Sequence, residues 1–138
     1  MTETESLELL KYHGYNHEDL ENIKTKQGFL GMLRPFQGSL YEKNFHEVMS
    51  ILRTLSYHFR DSHINRQVIS SFWSICYFTR SWALDEGGML RRNKLLSNEQ
   101  IEQLSSWIDC ISATINNLLN DIDVDQAFES YELYLKKG

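Results

Sequence analysis

The most apolar run in the chain, Val68–Ala83 (VISSFWSICYFTRSWA), would set Phe72, Trp73, Ile75, Cys76, Phe78 and Trp82 on more than one side of a helix. A helix that is apolar most of the way round has to be buried. The run is therefore expected to be a central helix, packed between its neighbours. A buried strand fits poorly, because the run lacks period-two alternation and is too long. Ser70, Ser71, Ser74, Thr79, Arg80 and Ser81 interrupt it before the roughly 20 apolar residues that a membrane span requires.

Two amphipathic patterns flank this run. Asn44 and Glu47 have the capping-box spacing, and Phe45, Val48, Met49, Leu52, Leu55 and Phe59 follow at steps of three and four, which predicts a helix over Phe45–Phe59. Ser97 and Gln100 repeat the spacing, and the apolar positions from Ile101 through Leu118 to Ile122 keep the same rhythm. They predict a helix over Asn98–Asn120 about 33 Å long, the width of a small domain. Asp125–Lys137 places Phe128, Tyr131 and Leu135 on one face and runs from acids to lysines, as a helix dipole prefers.

The N-terminal third is less regular. Thr4–Lys11 reads as a short helix ended by His13-Gly14-Tyr15, and Asn16 reads as the N-cap of a second, with Glu18 and Asp19 in its first turn. Gln27–Gly38 holds the only proline and three glycines among Phe29, Leu30, Met32, Leu33 and Phe36. It is expected to be irregular, with its apolar side chains covering one face of the core. Gly87-Gly88 marks the C-cap of the central helix. No strand pattern competes, so the chain is expected to be all-α: a single domain over residues 1–138, a compact bundle of about five to six helices.

Composition narrows the function classes. At 138 residues with 41% hydrophobic residues, the chain can bury a core without a disulfide or a metal. Cys76 and Cys110 sit inside apolar patterns, and MTETES has neither a basic nor an apolar leader segment. An unprocessed cytoplasmic protein with buried free thiols is expected. The net charge of −5 is unevenly spread: −3 over residues 1–26, +4 over 27–96 and −6 over 97–138. An acidic chain without a basic stripe is a poor nucleic-acid or membrane binder and a better partner for something basic.

Chemistry-bearing patterns are sparse. His13 and His17 are spaced H-x-x-x-H, yet Gly14 and Asn16 lie between them and no third ligand is near, so a solvated turn is expected in place of a metal site. Asp121, Asp123 and Asp125 alternate like calcium ligands, but Phe128 and Tyr131 occupy the stretch that would have to supply the loop's glycine and closing glutamate. Gln27–Gly38 carries no Gly-Lys-Ser/Thr or G-x-G-x-x-G, which counts against a phosphate-cradling loop. Arg91-Arg92-Asn93-Lys94 is too short for a nucleic-acid footprint. Neither a catalytic triad nor a cofactor fingerprint is present. Arg53 and His58, as R-x-x-x-x-H, resemble the active-site motif of the helical HEPN ribonucleases, which would use the arginine on phosphate charge and the histidine in proton transfer. On an amphipathic helix both fall on the polar side, where solvation is the plainer expectation.

Five linked stretches carry a broader resemblance: Leu33-Arg34-Pro35 with Gly38; Asn44-Phe45-His46-Glu47; Trp73-Ser74-Ile75-Cys76 with Arg80-Ser81-Trp82; Gly88-Met89-Leu90-Arg91-Arg92-Asn93; and Trp107-Ile108-Asp109. In this order, over roughly Gly28–Leu119, the chain resembles immunity proteins of bacterial contact-dependent growth inhibition systems. The resemblance implies a small non-enzymatic protein, without cofactor, that neutralises a cognate toxin C-terminal domain, often a nuclease, as a monomer in a 1:1 complex. It also implies that Trp73, Trp82 and Trp107 fill the core, that Gly88 allows a tight turn, and that Arg34, Arg91 and Arg92 tie the loops together. Recognition is then expected in the acidic segment outside these stretches, at Asp121, Asp123, Asp125, Glu129 and Glu132, with Tyr131 and Tyr134 as aromatic anchors. A helical adaptor with no toxin partner is the alternative that the residues leave open.

Overall fold

In the computed structural model, which describes residues 1–19, 21–60 and 62–137, the chain is all-α; among these residues the only bridge is an isolated one between Leu33 and Phe36. The helices are α1 (Glu3–His13), α2 (Ile23–Gln27), α3 (Glu42–Thr54), α4 (Arg66–Thr79), α5 (Met89–Arg92), α6 (Asn98–Leu119), α7 (Val124–Ala127) and α8 (Glu129–Lys137). A 3-10 turn, Ser56–Phe59, follows α3, and a π turn, Arg80–Leu84, continues α4. Six of the α-helices have five residues or more, while α5 and α7 are single turns of four.

The N-termini follow local chemistry. Thr2 accepts from the Glu5 backbone N–H at the start of α1, and Asn65 accepts from Gln67 and Val68 at the start of α4. Ser97 and Gln100 form the reciprocal capping box expected for α6. Two expected caps do not form. Asn44 lies inside α3, in its first turn, because the helix begins earlier at Glu42; its buried amide instead donates to the Gln27 carbonyl. Asn16 caps nothing; α2 begins seven residues later on Asn22, whose side chain accepts from Lys24.

Phe29, Leu30, Met32 and Leu33 are buried, so the irregular 27–38 segment does roof the core. It contains a cis Arg34–Pro35 bond, and it ends at Gly38, whose φ of 100° is a conformation that a side chain would strain. The helix expected over Phe45–Phe59 breaks at Leu55 into the 3-10 turn, and the one expected over Asp125–Lys137 breaks at Phe128. Phe128 and Tyr131 face the bundle as expected. Leu135 does not: it is exposed, and Tyr134 takes the third position of that face.

The central-helix expectation requires the largest correction. The buried side of α4 consists of Val68, Ser71, Phe72, Ile75, Cys76 and Thr79, a single stripe packed on α1 and α6 with Phe59 of the 3-10 turn at its edge. Trp73 is 58% exposed and Tyr77 48%, so Trp73 is no part of the core. Of the three tryptophans expected to fill it, Trp107 alone is buried; Trp82 is half-buried, with Arg34 over its ring at 5.3 Å. Trp107 lies parallel to Phe45 at 5.5 Å and edge-on to Phe29, which makes it the aromatic centre of the domain. The tight turn expected at Gly88 does form: its N–H donates to the Asp85 carbonyl at 2.8 Å. Gly88 then opens α5 where a Cβ would come within 2.5 Å of the Ser81 carbonyl oxygen, while Arg91 donates to the Leu84 carbonyl and holds α5 against the π turn.

Candidate functional site

The acidic C-terminal segment and the outer face of α4 are the two surfaces with chemistry to offer a partner. Asp121, Asp123, Asp125, Glu129 and Glu132 are all exposed. Asp121 has a positive φ of 59° in the turn after α6, and Asp123 and Asp125 sit at the start of α7. Arg60 fixes this turn by donating to the carbonyls of Ile122 and Asp121. Among the described residues, Glu132 has an ion-pair partner, Arg53 at 3.3 Å, while Asp121, Asp123, Asp125 and Glu129 have none. The Arg53 guanidinium also stacks over Phe128 at 4.2 Å.

Tyr131 and Tyr134 are tied into the fold by their hydroxyls. Trp107 Nε1 donates to the Tyr134 hydroxyl at 3.0 Å, and that hydroxyl donates to Glu42 Oε1 at 3.0 Å. His46 Nε2 reaches the other oxygen of Glu42 at 3.1 Å, and its Nδ1 meets the Tyr131 hydroxyl at 2.7 Å. A carboxylate only accepts, so Nε2 carries the proton and Nδ1 accepts from Tyr131. This chain of bonds ties α8 to α3 and α6. The bonds from His46 and then Tyr134 hold the Glu42 carboxyl below its ordinary range, while burial raises both tyrosine hydroxyls above theirs. Both rings are half-buried, so they brace the acidic surface from behind and do not project from it.

Arg53 and His58 each have another partner. Arg53 turns to Glu132 on α8, whereas His58, in the 3-10 turn, pairs with Glu3 at the start of α1 at 3.0 Å. His13 and His17 also diverge. His13 is buried, with Nδ1 accepting from the Phe29 backbone N–H and Nε2 donating to Glu47, both at 2.9 Å; His17 stacks on Tyr12 and bonds to Glu8. Among the described residues no group of three or more His, Cys, Asp or Glu is placed to hold a metal ion. Burial pushes the Cys110 thiol up to about 11 and raises that of Cys76.

The site that the sequence reading missed is a groove of about 520 Å³ between α4 and the second half of α6. Trp73 and Tyr77 form its wall, stacked 4.6 Å apart and nearly parallel; Ile69, Phe72, Ile115 and Leu119 line it, and Ser112 bonds to Arg80 at one end. A signal was present in the spacing. Arg66, Ser70, Trp73, Tyr77 and Arg80 fall at alternating steps of four and three, and each is exposed, so charged and polar residues share this face with the two aromatics. No protein-family model matches the chain, and neither a curated protein nor a solved structure matches it.

Proposed function

We propose that this chain is an immunity protein: it binds a cognate toxin domain of a contact-dependent growth inhibition system, a basic nuclease, and blocks its active site or substrate groove. One observation carries this reading. Four solvent-facing carboxylates, Asp121, Asp123, Asp125 and Glu129, stand on a braced turn and helix with no ion-pair partner among the described residues. Exposed acids held in place offer complementary potential to a surface built to grip phosphates, and complementarity of this kind speeds docking and selects the partner. The five-stretch resemblance points the same way. The protein acts in the cytoplasm, where a delivered nuclease would find its substrate.

The test is co-expression with the toxic C-terminal domain encoded beside this gene. Wild type should restore growth and bind in the nanomolar range, about −12 kcal/mol, with affinity falling as salt rises. Reversing Asp123, Asp125 and Glu129 together should abolish protection while leaving the far-ultraviolet circular dichroism and the thermal midpoint unchanged. If the neighbouring gene encodes no such toxin, or wild type fails to protect against it, the proposal fails and a helical adaptor is the better description.

A further inference from the structure

The cavity between the end of α2 and the segment that follows it to Tyr41 is a ligand site for which toxin capture has no use. We infer that it binds a small organic anion, an aromatic or heteroaromatic ring carrying one carboxylate or phosphate group. Lys26 and Arg34 would hold the anionic group and Tyr41 the ring. The inference stands independently of the immunity reading.

Charge is the first reason. The twenty residues from Asn22 to Tyr41 include Lys24, Lys26 and Arg34 and no acid, in a chain whose net charge is −5. Lys26 and Arg34 line the cavity, and no carboxylate joins them. The acids close by in sequence do not change this. Glu21 meets Lys26 at 3.3 Å, but both side chains are exposed, and a pair of that kind is held only weakly. Glu42 turns its carboxyl to His46 and Tyr134. Lys24 and Lys43 line a neighbouring cavity, where Glu47 offsets them, although the Lys43 ammonium still lies 5.9 Å from the centre of the Tyr41 ring.

The backbone positions both cations. A Cβ at Gly31 would fall 2.0 Å from the Thr25 carbonyl oxygen and 2.6 Å from the Lys26 carbonyl, so only a bare backbone packs this closely on the end of α2. That contact sets Lys26 and Arg34 on one cavity. The Arg34 carbonyl accepts from the Tyr15 hydroxyl at 2.6 Å, and the guanidinium lies over Trp82. One face of the guanidinium is therefore stacked, while among the described residues its N–H groups have no acceptor. A planar fork of donors matches carboxylate and phosphate oxygens through two parallel bonds.

Size and lining call for more than a bare ion. The cavity encloses about 560 Å³, in the range of small-molecule sites. Ile23 and Tyr41, 64% and 38% exposed, offer with Pro35 an apolar surface on which a ring can lie. Gln37 and Ser39 add polar side chains for the ring's edge.

The test is titration calorimetry on the full chain with adenosine monophosphate and naphthoate, against the neutral adenosine and naphthylmethanol. At least one anion should bind once per chain, at least about tenfold more tightly than its neutral counterpart. Which anion does so identifies the head group, and inorganic phosphate should bind at least about tenfold more weakly than a bound nucleotide. Lys26→Gln and Arg34→Gln should each weaken binding by at least about tenfold, and Tyr41→Ser by at least about threefold. Arg92→Gln, exposed on α5 and outside the cavity, should leave it unchanged. All these residues are exposed, so the variants should keep the wild-type thermal midpoint. On wild type, amide shifts in a nitrogen-15 spectrum should centre on Lys26, Gly31 and Gln37. The inference is overturned if neither anion outbinds its neutral counterpart, or if Arg92→Gln weakens binding as much as Arg34→Gln. Shifts centred on Trp73 and Tyr77 would also overturn it, by moving the ligand to the α4 groove.

Discussion

Replacing Trp107 and Trp73 in turn tests the assignment of the core, because the two tryptophans sit in opposite environments. Trp107 is 0% exposed, stacked on Phe45, edge-on to Phe29, and bonded through its N–H to Tyr134. Truncation to Ala removes an entire indole from a packed interior, which costs about 3–5 kcal/mol. It also strands the Tyr134–Glu42 part of the bond network that fastens α8. For a domain of this size each kcal/mol shifts the thermal midpoint by about 4 °C, so Trp107→Ala should melt about 12–20 °C lower. Trp107→Phe keeps the stack on Phe45 but gives up the bond to Tyr134 and part of the ring, at about 1–2 kcal/mol. Trp73→Ala loses chiefly a solvent-exposed stack on Tyr77 and should cost less than about 1 kcal/mol. Urea unfolding followed by far-ultraviolet circular dichroism measures all three. Equal losses at Trp73 and Trp107, or a loss under about 1 kcal/mol for Trp107→Ala, would refute the placement of the core.

Acid should loosen the junction between α1 and α3 through Glu47. The bond from His13 is the largest influence holding its carboxyl below the ordinary value of 4.5. A carboxyl lowered on folding adds stability above its unfolded range and loses it as pH falls through its folded value. Urea titrations from neutral pH to below 4.5 should therefore show a shallower acid loss in Glu47→Gln than in wild type, and parallel curves would contradict the coupling. Gly31 and Gly87 form a matched pair. A Cβ at Gly31 would lie 2.0 Å from the Thr25 carbonyl oxygen, whereas nothing lies within 4 Å of one at Gly87. Gly31→Ala should lose at least about 1–3 kcal/mol and Gly87→Ala stay within about 0.5 of wild type, as read by thermal melts.

The sequence alone was enough for the secondary structure of long periodic segments, because a helix is written in contacts between residues three and four apart. The apolar rhythm from Ile101 to Leu118 and the Ser97/Gln100 cap yield α6 almost to the residue, and the absence of strand alternation yields an all-α chain. The exposure of Asp121, Asp123, Asp125 and Glu129 was also legible, since unpaired carboxylates seldom leave water. Tertiary packing decided the rest. Whether Asn44 caps a helix or lies buried inside one depended on the 27–38 segment arriving over it, and the roles of Tyr131 and Tyr134 depended on His46 and Glu42, some ninety residues away in the chain. Trp73 is the clearest case. Its hydrophobicity is a local property, but its burial depends on whether another element covers that side of α4. The helices that reach α4 pack on the side holding Ser71, Phe72 and Ile75, so the small polar residues are enclosed and the two large aromatics face water. Periodicity describes which positions share a face; only the assembled neighbours determine which face is inside.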